Sequence, residues 1–167
     1  MNVLQEIDEA LLYIRKTVSE RSPVRQRCAI LDCVWFLPYK QQLVNLNSES
    51  KKVNETPKGV SRYFKGELPE FYGVCWDEVD FLYAPYNVNA NHWIALQIDL
   101  VNWVVNVFDC NNNLNSDDVI KLQVEPVLKM LPIFMSKYEP LASKYAHREL
   151  QQLQFNRVSK IKQNLRG

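Results

Sequence analysis

Histidine, glycine and long apolar runs are all scarce in this sequence, and each scarcity closes off a class of function. The only histidines are His92 and His147, and the four cysteines, Cys28, Cys33, Cys75 and Cys110, form no C-x-x-C pair. A structural zinc site is therefore not expected. Only four glycines are present, and no cofactor-binding motif occurs among them. No segment approaches the length of apolar chain needed to span a bilayer. The start, Met1-Asn2-Val3-Leu4-Gln5-Glu6-Ile7-Asp8-Glu9, has neither a basic n-region nor a continuous apolar stretch, so it does not read as a secretory signal. The cysteines are accordingly expected as reduced thiols in an intracellular protein, nuclear or cytoplasmic. A net charge of +1 gives no general reason to expect nucleic acid or an anionic membrane as partner. The basic stretch from Lys144 to Gly167 lacks the interleaved aromatic platform that base stacking needs, and reads as a solvated helix face and tail.

What is present is ordinary globular composition, 47% hydrophobic and 23% charged, in a chain long enough for one domain with a real core. Leu4, Ile7, Leu11, Ile14 and Val18 recur at helical spacing and predict a first helix ending near Arg21-Ser22-Pro23. Cys28 to Leu37 is a nearly continuous apolar run, either a buried strand or a short buried helix. Asn45 to Gly59 is polar and reads as a surface loop. Val79 to Tyr83 is a strand candidate closed by Pro85. Two further strands are predicted over His92–Asp99 and Asn102–Asp109, then a turn at Asn111–Asn115 and a helix capped by Ser116-Asp117-Asp118. That helix is expected to break or restart at Pro126 and Pro132. A last short strand is predicted around Phe155–Ser159.

Side chains alternate along a strand, so His92, Ile94, Leu96 and Ile98 share one face. A hairpin loop centred on Leu100-Val101 gives paired residues a constant index sum of 201. Ile98 then opposes Trp103, Leu96 opposes Val105, Ile94 opposes Val107 and His92 opposes Asp109. Directly opposed Cβ atoms lie about 4.5 to 5.5 Å apart, which lets a carboxylate accept a hydrogen bond from an imidazole. Such a carboxylate orients a catalytic base and stabilises the imidazolium formed when the ring takes a proton. An odd loop would turn the two residues to opposite faces. The plainer alternative is a His and an Asp standing by coincidence at a solvated sheet edge, with Trp93 as core.

The run Leu82-Tyr83-Ala84-Pro85-Tyr86-Asn87-Val88-Asn89-Ala90-Asn91-His92-Trp93, followed by Ile98-Asp99-Leu100 and Val107-Phe108-Asp109, resembles the core of the ubiquitin-like-protein-specific (SUMO or sentrin) protease family. The resemblance extends back through Ile7–Leu12 and Cys28–Asp32, and forward to Phe155-Asn156-Arg157-Val158; its flavour is that of the plant, transposon-associated branch. It implies a papain-like α/β fold, a mixed sheet packed with helices, with residues 1–167 forming a single catalytic domain. His92 would be general base and acid, Asp109 its orienter, and Trp93 a wall of the tunnel that admits the substrate's terminal Gly-Gly. Gln163, or Asn164 if the register differs by one, would donate to the oxyanion hole. The implied partner is a SUMO-type ubiquitin-like protein or its conjugates, met by a monomer without cofactor or metal.

The departures from the family pattern are specific. The family's nucleophilic cysteine is expected within about three residues after Gly167, so the domain reads as incomplete, lacking its nucleophile helix and inactive by itself. Gln5 or Glu6 stands where the family has the tunnel's second aromatic, and Lys162 replaces a proline. Cys110 points away from Asp109 by alternation, and Cys28 and Cys33 lie in an apolar run where burial keeps a thiol inert. A peptidase, a non-catalytic module that binds a ubiquitin-like protein, and a decayed gene fragment all remain open on this reading.

Overall fold

The computed structural model describes residues 2–21, 27–49 and 53–158. Helix α1 spans Val3–Arg21, and strand β1 follows at Cys28–Ile30. Helices α2 (Leu37–Glu49) and α3 (Lys58–Phe64) precede strands β2 (Phe81–Val88), β3 (His92–Asp99) and β4 (Val104–Phe108). Helices α4 (Asp117–Lys137) and α5 (Glu139–Tyr145) lead to β5 (Gln154–Arg157). The five strands form one mixed sheet in the order β1-β2-β3-β4-β5. Strands β2, β3 and β4 are an antiparallel meander, while β1 runs parallel to β2 and β5 parallel to β4. The α/β class expected from the sequence is the class observed.

One face of the sheet is the core. Leu82, Ala84, Tyr86, Ile94, Leu96, Ile98, Val105 and Val107 join Tyr39 and Leu43 of α2 and a broad stripe of α4 in a single buried cluster. Both prolines of α4 lie within one unbroken helix, contrary to the expected break. Proline removes the bond to the carbonyl four residues earlier. Here the carbonyl freed by Pro132, that of Leu128, accepts the N–H of Leu153 at 3.1 Å instead, and the core buries both proline rings. The Ser116 hydroxyl caps α4 by accepting from the Val119 N–H. Ser116→Ala is expected to lower stability by about 1 kcal/mol in chemical denaturation, the usual loss for an N-cap.

Three other sequence expectations change. The region read as a loop from Asn45 onward begins inside α2, whose Pro38 stands in the first turn, where a missing N–H is tolerated. Strand β2 runs through Pro85 rather than stopping there. The Tyr83 carbonyl points toward β1, accepting from Leu31 N–H at 2.8 Å, and Pro85 two residues on faces the same way, past the last paired residue of β1. The stripe expected to bury α1 is only half covered, and Arg15 is the one buried residue of that helix.

The opposite face of the sheet is open. A row of side chains crosses it: Gln97 donates to the Tyr83 hydroxyl at 2.9 Å, Asn106 to Gln97 at 3.1 Å and Asn156 to Asn106 at 2.7 Å. Beside this polar row lies an apolar groove of about 510 Å³, bounded by Ile7 and Leu11 of α1 and by Tyr83, Trp93, Ala95 and Phe108 of the sheet. No helix among the described residues is long and apolar enough to cross a membrane.

Candidate active site

The strands place His92 at the first position of β3, opposite Val88 of β2, and Asp109 one residue beyond the end of β4. The observed hairpin register differs from the expected one. Asp99 pairs with Val104 and Leu96 with Val107, an index sum of 203 where 201 was predicted, because the loop is Leu100–Trp103 and centres on Val101-Asn102. The Asp99 carboxylate builds that loop by accepting from Val101 N, Asn102 N and Asn102 Nδ2 at 2.7 to 3.0 Å. Trp103 takes a left-handed φ of 61°, with its ring buried in the core. The sum moves by two, so its parity and therefore the shared face survive. Asp109 is consequently a diagonal rather than a direct neighbour of His92, within reach of a long side chain.

The contact itself is present. His92 Nε2 lies 2.8 Å from Asp109 Oδ1, with side-chain exposures of 10% and 0%. Asp109 also accepts from the Asn111 N–H on Oδ1 at 2.8 Å and from Arg157 Nη2 on Oδ2 at 2.7 Å. Burial alone raises a carboxyl's pKa; here the Asn111 N–H, His92 and Arg157 together outweigh it and hold Asp109 below the usual carboxylate range. An ionised carboxylate only accepts, so Nε2 carries the ring proton. That leaves Nδ1 as the ring's basic atom, and it has no hydrogen-bond partner among the described residues. An imidazole held at one nitrogen by a carboxylate can accept a proton at the other.

No cysteine of the chain stands at that base. Cys28 pairs with Phe81 and His92 with Val88 on the same strand, so about 23 Å of β2 separates them. Cys75 is exposed and lies electrostatically close to Tyr138, which caps the C-terminal end of α4. The Asp117 end of that helix, roughly 30 Å away, is the one tied through Arg157 to the site. Cys33 is buried, and burial, reinforced by the Asp8 carboxylate, pushes its thiol up to about 12. Cys110 is exposed and lines the apolar groove on the face opposite His92. With an alkylating reagent at pH 8, Cys110 is expected to react in the native protein and Cys33 only after denaturation, as read by intact and peptide mass spectrometry.

Trp93 follows His92 on the other face, half-buried and outside the core. It separates the apolar groove from a second depression of about 270 Å³ that includes Leu4, Lys40, Asn87 and Ala90. The buried Asn87 Oδ1 has no hydrogen-bond partner among the described residues. Gln163 and Asn164, the oxyanion candidates, lie outside the described residues. No group of three or more His, Cys, Asp or Glu is arranged to hold a metal among the described residues.

The residue that sequence reasoning passed over is Arg157. It sits in β5 opposite Val107, on the inward face, where an arginine must be paired to be stable. Its alternation with Phe155 was the available signal.

A sequence profile of the Ulp1 protease family, C-terminal catalytic domain, matches residues 6–167. The chain belongs to this family. Among solved structures, the C-terminal Ulp1 protease domain in complex with Smt3, the yeast orthologue of SUMO, is 16% identical with a TM-score of 0.50, covering 90% of this Ulp1-family chain and 54% of that one. The Chaetomium thermophilum Ulp1-like SUMO protease catalytic domain is 14% identical with a TM-score of 0.43, covering 89% and 48%. The chain thus spans about half the length of these structures, and at such identity the first likeness shows the Ulp1 fold. No curated protein matched the chain.

Proposed function

We propose that this chain is a Ulp1-type cysteine peptidase domain, formed by residues 1–167 together with a thiol supplied from outside them, that cleaves after the C-terminal glycines of a SUMO-type ubiquitin-like protein. The observation that carries the reading is the His92 Nε2 to Asp109 Oδ1 bond of 2.8 Å, with Nδ1 unpaired among the described residues. In the reaction, His92 Nδ1 takes the proton of the cysteine S–H, and the thiolate adds to the carbonyl carbon of the terminal glycine. The tetrahedral intermediate collapses with rupture of the C–N bond, and the imidazolium returns its proton to the leaving amine. Water, deprotonated by the same imidazole, then adds to the thioester carbonyl; the C–S bond breaks, the imidazolium returns its proton to the thiolate, and the glycine carboxylate leaves. Asp109 stays ionised throughout and holds the ring. Gln163 or Asn164 supplies the oxyanion donor, and Trp93 bounds the path of the glycine tail. The complex of the Ulp1 domain with Smt3 supports a ubiquitin-like partner, and we place the protein in the nucleus or cytoplasm, where such partners are conjugated.

The complex of a Ulp1 domain with Smt3 also fits one second reading, a module of the same fold that holds a ubiquitin-like protein without cutting it. A single experiment separates the two. Protein expressed from its full transcript is given C-terminal coumarin amides of SUMO and ubiquitin. Fluorophore release that disappears in a His92→Ala variant supports the peptidase. Saturable binding with no release supports the module, and release unaffected by His92→Ala overturns the proposal.

A further inference from the structure

Arg157 takes no part in the proton transfers above, yet the site is built around it. Its side chain is 6% exposed. Nη2 donates to Asp109 Oδ2 at 2.7 Å, and Nη1 donates to Asp117 Oδ1 and to the Asn115 carbonyl, both at 2.8 Å. Nη2 also approaches the Asn112 carbonyl at 3.4 Å. One planar guanidinium therefore gathers the carboxylate that ends β4, the carboxylate that starts α4 and two carbonyls of the loop between them. The register fixes its position: Arg157 lies opposite Val107, on the same face as Asp109, and the Val158 N–H bonds the Val107 carbonyl at 2.9 Å.

Asp109 needs such a partner. Its Oδ1 is shared between His92 and the Asn111 N–H, and a carboxylate free to turn about its Cβ–Cγ bond would divide its time between them. A guanidinium fixed at its far side by Asp117 holds Oδ2, and so sets the plane in which Oδ1 meets the imidazole. We propose that Arg157 is a positioning residue for the His92–Asp109 pair, locking the carboxylate plane and coupling it to Asp117 at the start of α4. The inference rests on the reading of His92 as the base.

Its test does not depend on turnover. In ¹⁵N-labelled protein, the His92 Nε2–H is bonded to Asp109, and its exchange rate reports how firmly the carboxylate is held. Arg157→Met is expected to exchange this proton about tenfold faster, the loss of one charge-assisted hydrogen bond. Arg157→Lys, which keeps a charge near Asp109 but cannot span to Asp117, is expected to lie between. A folded Arg157→Met protein with unchanged exchange overturns the inference. Should Arg157→Met not fold, Asp117→Asn decides: its side chain is 74% exposed, so the fold tolerates the change. Faster exchange in Asp117→Asn supports positioning, and unchanged exchange overturns it. Arg157-dependent protection without fluorophore release keeps this inference and loses the peptidase, while release with Arg157-independent protection does the reverse.

Discussion

Asp109→Ala is expected to destabilise the protein by about 3 to 5 kcal/mol, the usual loss when one member of a buried charge pair is removed and the other stays behind. Asp109 has no side-chain exposure and Arg157 only 6%, so Nη2 of the guanidinium, still held at Nη1 by Asp117 and the Asn115 carbonyl, loses its charged partner with little access to water. His92 and the Asn111 N–H lose their acceptor at the same time. Domains of this size are stable by about 5 to 15 kcal/mol in all, so this one substitution removes a large share, measurable as a shift in the urea midpoint. The effect carries a pH signature. The folded-state pKa of Asp109 is depressed, so its contribution is fully present above the unfolded value of about 3.9 and is lost as pH falls through the folded one. The stability gap between wild type and Asp109→Ala should therefore shrink as pH falls below about 4. A gap that widened below about pH 4 would contradict the ionised, hydrogen-bonded carboxylate described here.

His92→Ala is expected to lower kcat by about 10⁴-fold in protein that carries the thiol, with KM changed little. General-base catalysis contributes up to about that factor, and in the proposed reaction the ring serves the reacting atoms rather than the body of the substrate. The same substitution is far milder for stability than Asp109→Ala. It deletes a hydrogen bond to a carboxylate that keeps two others, from Asn111 and Arg157, and the side chain sits at the rim of the core rather than within it. Measuring both quantities in both variants separates the ring's chemistry from the carboxylate's anchoring: one variant should lose turnover while staying folded, the other should lose both.

The shared face of His92 and Asp109 was legible because strand alternation is a local property, and a shift of two residues in register leaves it intact. The register itself was not. Its determinant is the Asp99 carboxylate organising Val101 and Asn102, which delivers Trp103 in a left-handed conformation that few bulky residues adopt. The apolar run on either side reads as uninterrupted strand. Pro126 and Pro132 misled for a related reason. Local propensity argues for a break, but the Leu153 N–H that satisfies Leu128 comes from a segment 25 residues away, and only the folded chain brings it there. Arg157 is the extreme case: nothing near it in sequence is acidic, and its two carboxylates arrive from β4 and α4 through the parallel pairing of β5.

Pro85 has a consequence for how this protein meets other copies of itself. Beyond Tyr83, β2 has no strand partner on its β1 side among the described residues, and such an edge is where another chain's strand adds by backbone pairing. Proline offers that edge no donor, and the Trp35 indole N–H takes the Pro85 carbonyl at 3.3 Å. At this residue both bonding groups of the edge are withdrawn, which disfavours strand addition beside the hairpin that carries His92.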